Sequence, residues 1–144
     1  MTINNCLIIE DDNAKCNEIV NFFQENYKKA KIIKKSALNS GLFEMSKNEY
    51  DLIILDMSLP IFEGKKNINF EPYGGIEFLK EMEEIENETN VIVITQFSIF
   101  GEGKNEKTFE ELKEYCINSF KNCKGVIYFL SHTWQEELKK LLEK

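Results

Sequence analysis

The stretch Asp51-Leu52-Ile53-Ile54-Leu55-Asp56-Met57-Ser58-Leu59-Pro60 constrains this chain more than any other. A short run of Leu and Ile ends on a carboxylate and then breaks at a proline. A strand that is apolar at every position must be covered on both faces, as in a parallel sheet held between layers of helices. Cys6-Leu7-Ile8-Ile9 repeats the pattern and runs into Glu10-Asp11-Asp12. In an open parallel sheet the C-terminal ends of the strands form the mouth where ligands bind. Carboxylates gathered there repel one another unless a cation holds them, and clustered oxygen donors suit Mg²⁺.

The rest of the chain supplies matching units. Ala14 to Tyr27 carries Cys16, Ile19, Val20, Phe23 and Tyr27 at helical spacing, with Asp12 or Asn13 placed to cap it. Lys31-Ile32-Ile33-Lys34 reads as an edge strand guarded by lysines. Ser36 or Asn39 opens a second helix with Leu38, Leu42, Phe43 and Met45. A third helix starts at Gly74-Gly75 and turns Ile76, Leu79, Met82 and Ile85 inward; Val91 to Thr95 is a fourth strand. Thr108 followed by Glu111 is a capping-box pattern for a fourth helix, which Gly125 ends. Val126 to Leu130 is the fifth strand, and a last helix begins near Thr133 with Trp134, Leu138, Leu141 and Leu142 on one face. Residues 61–73 and 96–107 are polar and aperiodic, and read as two long loops at the mouth. Alternating strands and helices of this length predict a doubly wound, five-stranded parallel sheet, a flavodoxin-like three-layer α/β sandwich.

A chain of 144 residues accommodates one domain, expected here to span 1–144 with no room for an output domain. The formal net charge of -7 argues against a nucleic-acid groove. No apolar run approaches membrane-spanning length, and Met1-Thr2-Ile3-Asn4-Asn5 lacks the start of a signal peptide. Cys6, Cys16, Cys116 and Cys123 show no CxxC spacing and read as buried thiols in a reducing, cytoplasmic setting.

Several chemistries drop out. Acid follows the first strand where a dinucleotide site needs glycines, and no P-loop is present. One histidine builds neither a common zinc site nor, without a serine elbow, a triad. The groups left at the strand ends are the carboxylates, Thr95 and His132.

This ordered set resembles the receiver domain of two-component response regulators over nearly the whole chain. Leu7-Ile8-Ile9-Glu10-Asp11-Asp12 is similar to that family's first strand and acidic pair, and Asp56-Met57-Ser58-Leu59-Pro60 to its phosphoacceptor aspartate and turn. The resemblance implies Mg²⁺ held by Glu10, Asp11, Asp56 and the Ser58 backbone carbonyl, with Asp11 a direct ligand and Asp12 a helix cap. It further implies Asp56 as phosphoacceptor, Thr95 as a switch hydroxyl and Phe129 as a switch aromatic. The chain departs from the family where His132-Thr133-Trp134 replaces a lysine, a proline and a phenylalanine, and in the two long loops. His132 is the substitute that the sequence offers for the lysine.

The expected function is a stand-alone receiver, phosphorylated on Asp56 by a sensor histidine kinase or a histidine phosphotransfer protein and signalling by protein contact. Its own chemistry would extend no further than self-phosphorylation and dephosphorylation. The alternative is a degenerate receiver, never phosphorylated, acting as a constitutive interaction module. A Mg²⁺-dependent phosphohydrolase is disfavoured because no acid lies at the second position after Asp56 to protonate a leaving group.

Overall fold

Strands buried on both faces and helices with one apolar side assemble into three layers. The computed structural model describes residues 1–64 and 70–144. In chain order the elements are β1 (Asn5–Ile9), α1 (Asn13–Asn26), β2 (Lys31–Lys35), α2 (Leu38–Lys47), β3 (Leu52–Leu55), β4 (Leu59–Pro60), β5 (Phe70–Glu71), α3 (Gly74–Glu84), β6 (Asn90–Thr95), β7 (Ile99–Phe100), β8 (Lys107–Thr108), α4 (Phe109–Ser119), β9 (Cys123–Tyr128) and α5 (Trp134–Leu142).

The main sheet has five strands in the order β2-β1-β3-β6-β9, and every pairing in it is parallel. The lysine-flanked β2 is an edge, as its composition predicts. Side chains alternate across the sheet. Leu7, Ile9, Ile53, Leu55, Val91 and Val93 pack with Leu38 and Met45 of α2, Phe78 and Met82 of α3, and Leu112 and Cys116 of α4. Cys6, Ile8, Leu52, Ile54, Ile92, Ile94 and Ile127 pack with Ile19, Phe22 and Phe23 of α1 and Trp134, Leu138 and Leu142 of α5. All four cysteines are free and buried. No helix among the described residues is long and apolar enough to cross a membrane.

The capping signals resolve as physical chemistry requires. Of the two candidate caps for α1, Asp12 performs the role: its carboxylate accepts from the Lys15 N–H at 3.1 Å. Thr108 and Glu111 form a reciprocal capping box. Gly125, expected to end the α4 unit, instead lies inside β9, because Leu141 of α5 packs where a side chain at 125 would stand. The strand therefore starts at Cys123 and ends at Tyr128, which leaves Phe129 and Leu130 beyond it. Ile85, expected inside, is exposed where α3 ends.

The two expected loops are not structureless. β4 pairs antiparallel with β5, and β7 with β8. A short 3₁₀ turn over Gly103–Asn105 sits within the second pair. Both additions follow the C-terminal ends of central strands, and the Tyr73 hydroxyl ties them together by reaching the Phe100 carbonyl at 2.9 Å and the Asn105 carbonyl. A cleft of about 960 Å³ between them is lined by Ser58, Tyr73, Ile76, Phe97, Phe100 and Tyr115, among others. Of the first loop, residues 65–69 lie outside the described residues.

Candidate functional site

Strand register assembles the site. Ile9 pairs with Leu55, and Leu55 with Val93. The next residue on each strand path is Glu10, Asp56 and Ile94, which brings these three into one row across the sheet mouth. The Asp56 N–H donates to the Ile9 carbonyl at 3.0 Å and fixes the first two in register. Cys6 and Ile8 of β1, like Leu52 and Ile54 of β3, face α1 and α5. The period of two therefore carries Glu10 and Asp56 onto that same face.

Glu10 and Asp56 are buried, at 5% and 2% exposure, and Asp11 is half-buried beside them. One ligand oxygen from each of the three lies within 4.8 Å of the others. An octahedral Mg²⁺ bonded at about 2.0–2.1 Å spans roughly 4 Å between opposite ligands. The oxygen set therefore suits one such ion with little adjustment.

A cation from the protein already reaches two of these groups. The Lys15 ammonium, 1% exposed, lies 2.5 Å from Glu10 Oε1 and 3.2 Å from Asp56 Oδ1. It also donates to the Ile94 carbonyl at 2.7 Å. Three donors meet three acceptors, one from each member of the row. The Phe129 ring lies 5.7 Å from the same ammonium, within cation–π range. Glu10 Oε2 accepts from the Asp12 N–H at 3.0 Å, and Asp56 Oδ1 from the Met57 N–H at 2.8 Å. Asp56 Oδ2 has no N–H donor among the described residues.

Burial sets the electrostatics. It pushes the Glu10 carboxyl up to about 8, with the neighbouring Asp56 charge adding to the rise and Lys15 opposing it. Burial also raises Asp56, against the pull of Lys15 and the Met57 N–H. Asp11 is raised by burial and then by Asp56. Three carboxyls against one ammonium leave the mouth short of positive charge, which is the condition for holding a divalent ion.

The other expected residues divide. Thr95 ends β6, is fully buried, and its hydroxyl accepts from the Phe97 N–H at 3.4 Å. Phe129 follows β9, its N–H donating to the Thr95 carbonyl at 2.8 Å and its ring 5.1 Å from that of Trp134. The Ser58 hydroxyl donates to the Pro72 carbonyl at 3.1 Å, which ties the turn after Asp56 to the first hairpin. His132, the expected substitute for the lysine, is exposed and enters no ion pair among the described residues. The chain turns outward after Tyr128, and Leu130 is exposed as well.

Lys15 is the site residue that sequence reasoning passed over. The signal was there: Lys15 precedes Ile19 by four and Phe22 by seven, so it falls on the buried stripe of α1. A lysine on an apolar helix face needs buried acid, and two strands of this chain end in it.

Comparison with known proteins agrees with this geometry. The response regulator receiver domain model matches residues 6–99. Among curated proteins, the Detocs response regulatory protein DtcB of Enterobacter cloacae is 26% identical over 147 residues, covering 95% of this chain and 98% of that one. The uncharacterized protein y4jR of Sinorhizobium fredii is 31% identical over 99 residues, 66% of each chain. Two solved structures superimpose with a TM-score of 0.67: the RcsB response regulator of Salmonella typhimurium and the receiver domain of the sensor histidine kinase PA1611 of Pseudomonas aeruginosa. Their identities are 17% and 15%, so they speak for the fold alone. This chain is covered to 99% and 97%; it spans 59% of the RcsB chain and 94% of the other, which carries a magnesium ion in its active-site cleft. The chain belongs to the response regulator receiver domain family.

Proposed function

We propose that the chain is a phosphoacceptor receiver in two-component or phosphorelay signalling, with Asp56 as the nucleophile. The observation that carries this reading is the buried cluster of Glu10, Asp11 and Asp56 at the mouth of the parallel sheet. In the transfer, Asp56 Oδ2 attacks the phosphorus of a donor phosphohistidine. An O–P bond forms, the P–N bond breaks, and its electron pair stays with the donor ring, which, carrying a proton on its other nitrogen, leaves as neutral imidazole. Oδ1 meanwhile keeps the Met57 N–H bond, which fixes the carboxylate plane for in-line attack.

Glu10, Asp11, Asp56 and the Ser58 backbone carbonyl would hold Mg²⁺, whose charge stabilises the phosphoryl oxygens in transfer. In this reading Thr95 bonds a phosphoryl oxygen and Phe129 responds to that change, a coupling supported by the bond from the Phe129 N–H to the Thr95 carbonyl. With the negative net charge arguing against nucleic acid, the signal leaves by protein contact in the cytoplasm. The two strand pairs and the cleft between them are the surface that the long loops add at the mouth. The donor is a sensor histidine kinase or a histidine phosphotransfer protein.

The second reading is the degenerate receiver, and the near-complete burial of Asp56 favours it. Acetyl phosphate with Mg²⁺, followed by intact-mass measurement of wild type and Asp56→Asn, separates the two. The proposal expects one added phosphoryl group on wild type and none on the variant. An unmodified wild type, under conditions that label another receiver, would leave the interaction module as the function.

A further inference from the structure

We propose that Lys15 is a catalytic residue of the transfer: its ammonium, delivered from the first turn of α1, takes up the charge of the phosphoryl group arriving on Asp56. This rests on the reading of Asp56 as phosphoacceptor. Register alone places Glu10, Asp56 and Ile94 in a row, and Lys15 bonds all three, at 2.5, 3.2 and 2.7 Å. Phosphoryl transfer has little covalent chemistry for a protein to perform, so a cation fixed beside the nucleophile supplies what the step needs.

A purely structural role accounts poorly for this lysine. Position 15 lies on the buried stripe of α1 with Ile19 and Phe22, and its charge is matched there only by the acids of the site, Glu10 and Asp56. A buried ion pair is seldom more stable than well-packed apolar groups of the same volume. Ordering a lysine side chain also costs conformational entropy. What the lysine provides that a methionine would not is a positive charge 3.2 Å from Asp56 Oδ1, between two buried side chains.

The bonds also divide in a useful way. Glu10 and the Ile94 carbonyl hold the ammonium from either side whatever happens at Asp56. Once the O–P bond forms at Oδ2, Oδ1 becomes the carbonyl oxygen of an acyl phosphate and loses its carboxylate charge, making it a weaker acceptor. The third N–H of Lys15 then turns from Oδ1 to a phosphoryl oxygen, while the other two stay in place. Stabilisation therefore grows as charge moves from the carboxylate onto the phosphoryl group, as catalysis requires.

The test measures two affinities of the full chain: Mg²⁺ alone, and beryllofluoride in the presence of Mg²⁺ as the phosphoryl analogue. Wild type, Lys15→Met, Lys15→Arg and Asp56→Asn are compared. Loss of one charge-assisted bond predicts a fall in beryllofluoride affinity of about tenfold to a hundredfold in Lys15→Met. Mg²⁺ affinity should hold or rise, because a competing positive charge has left the carboxylates. Lys15→Arg should recover part of the analogue affinity. A merely structural lysine would weaken both ligands together, and that result overturns the assignment. So does a folded Lys15→Met that binds beryllofluoride like wild type. If wild type itself binds no analogue, or Asp56→Asn binds it equally, the receiver reading and this assignment both fall. Should Lys15→Met not fold, the ε-methylene resonance of Lys15 in wild type decides: a shift on adding beryllofluoride supports the assignment, and an unmoved signal overturns it.

Discussion

Raising the pH should destabilise this protein through Glu10, and Mg²⁺ should oppose it. Glu10 is pushed from the ordinary carboxyl value of 4.5 up to about 8, by burial first and by Asp56 second, with Lys15 the one neighbouring cation. A carboxyl raised in the folded state favours folding while it keeps its proton. Its contribution is thus complete below 4.5 and disappears as pH climbs through about 8. At 1.36 kcal/mol per pKa unit the ceiling is roughly 4–5 kcal/mol. Because Asp56 shares the same charge balance, a loss of about 2–4 kcal/mol between pH 5 and 9 is the expected size. Urea unfolding across that range, at constant m, measures it. Glu10→Gln keeps the neutral form at every pH and should flatten the curve, and saturating Mg²⁺ should flatten it in wild type by favouring the ionised carboxylates. A Glu10→Gln curve with the wild-type slope would refute the argument.

Four further outcomes follow from the contacts described. Lys15→Met strands two buried carboxyls and should cost about 3–5 kcal/mol at neutral pH, part of it recovered in the Glu10→Gln/Lys15→Met double variant, both read by urea unfolding. His132→Ala should leave beryllofluoride affinity within about twofold of wild type, because no ion pair joins the exposed imidazole to the cluster; titration of the folded variant checks this. Gly75→Ala puts a Cβ 2.8 Å from the Asp56 carbonyl, so α3 must move off the turn after β3, with a loss of about 1–3 kcal/mol and weaker Mg²⁺ binding in the same preparation. Tyr73→Phe removes the hydroxyl joining the two hairpins and should cost about 1 kcal/mol, with faster amide exchange at 99–108 and unchanged Mg²⁺ affinity.

The fold was legible because the strands β1, β3 and β6 are apolar at nearly every position, and because helical spacing returns between them. Such segments have one way to be covered. Their ends could be misread where tertiary packing overrides local signals. Gly125 looks like a helix terminator, yet Leu141 needs its empty side, so the strand runs through it. The two-residue pairings at the edges of and within 61–73 and 96–107 (β4 with β5, β7 with β8) were invisible, because pairs of two residues leave no periodicity. At the site, Glu10, Asp11 and Asp56 could be found because each follows an apolar run. Lys15 was hidden by its charge, which suggests a solvated face, although its spacing put it on the buried one. His132 lies four residues beyond the end of β9 at Tyr128 and is exposed there, a turn of which sequence carries no measure.

The central claim is that the phosphoryl group is carried by Asp56. Borohydride reduces an acyl phosphate of aspartate to homoserine and leaves a free carboxylate untouched. Peptide mapping after acetyl phosphate, Mg²⁺ and borohydride treatment therefore reads the modified position directly. The account predicts homoserine at position 56, absent when donor or Mg²⁺ is withheld. Unmodified Asp56, or homoserine at Asp11 or another aspartate instead, would contradict it.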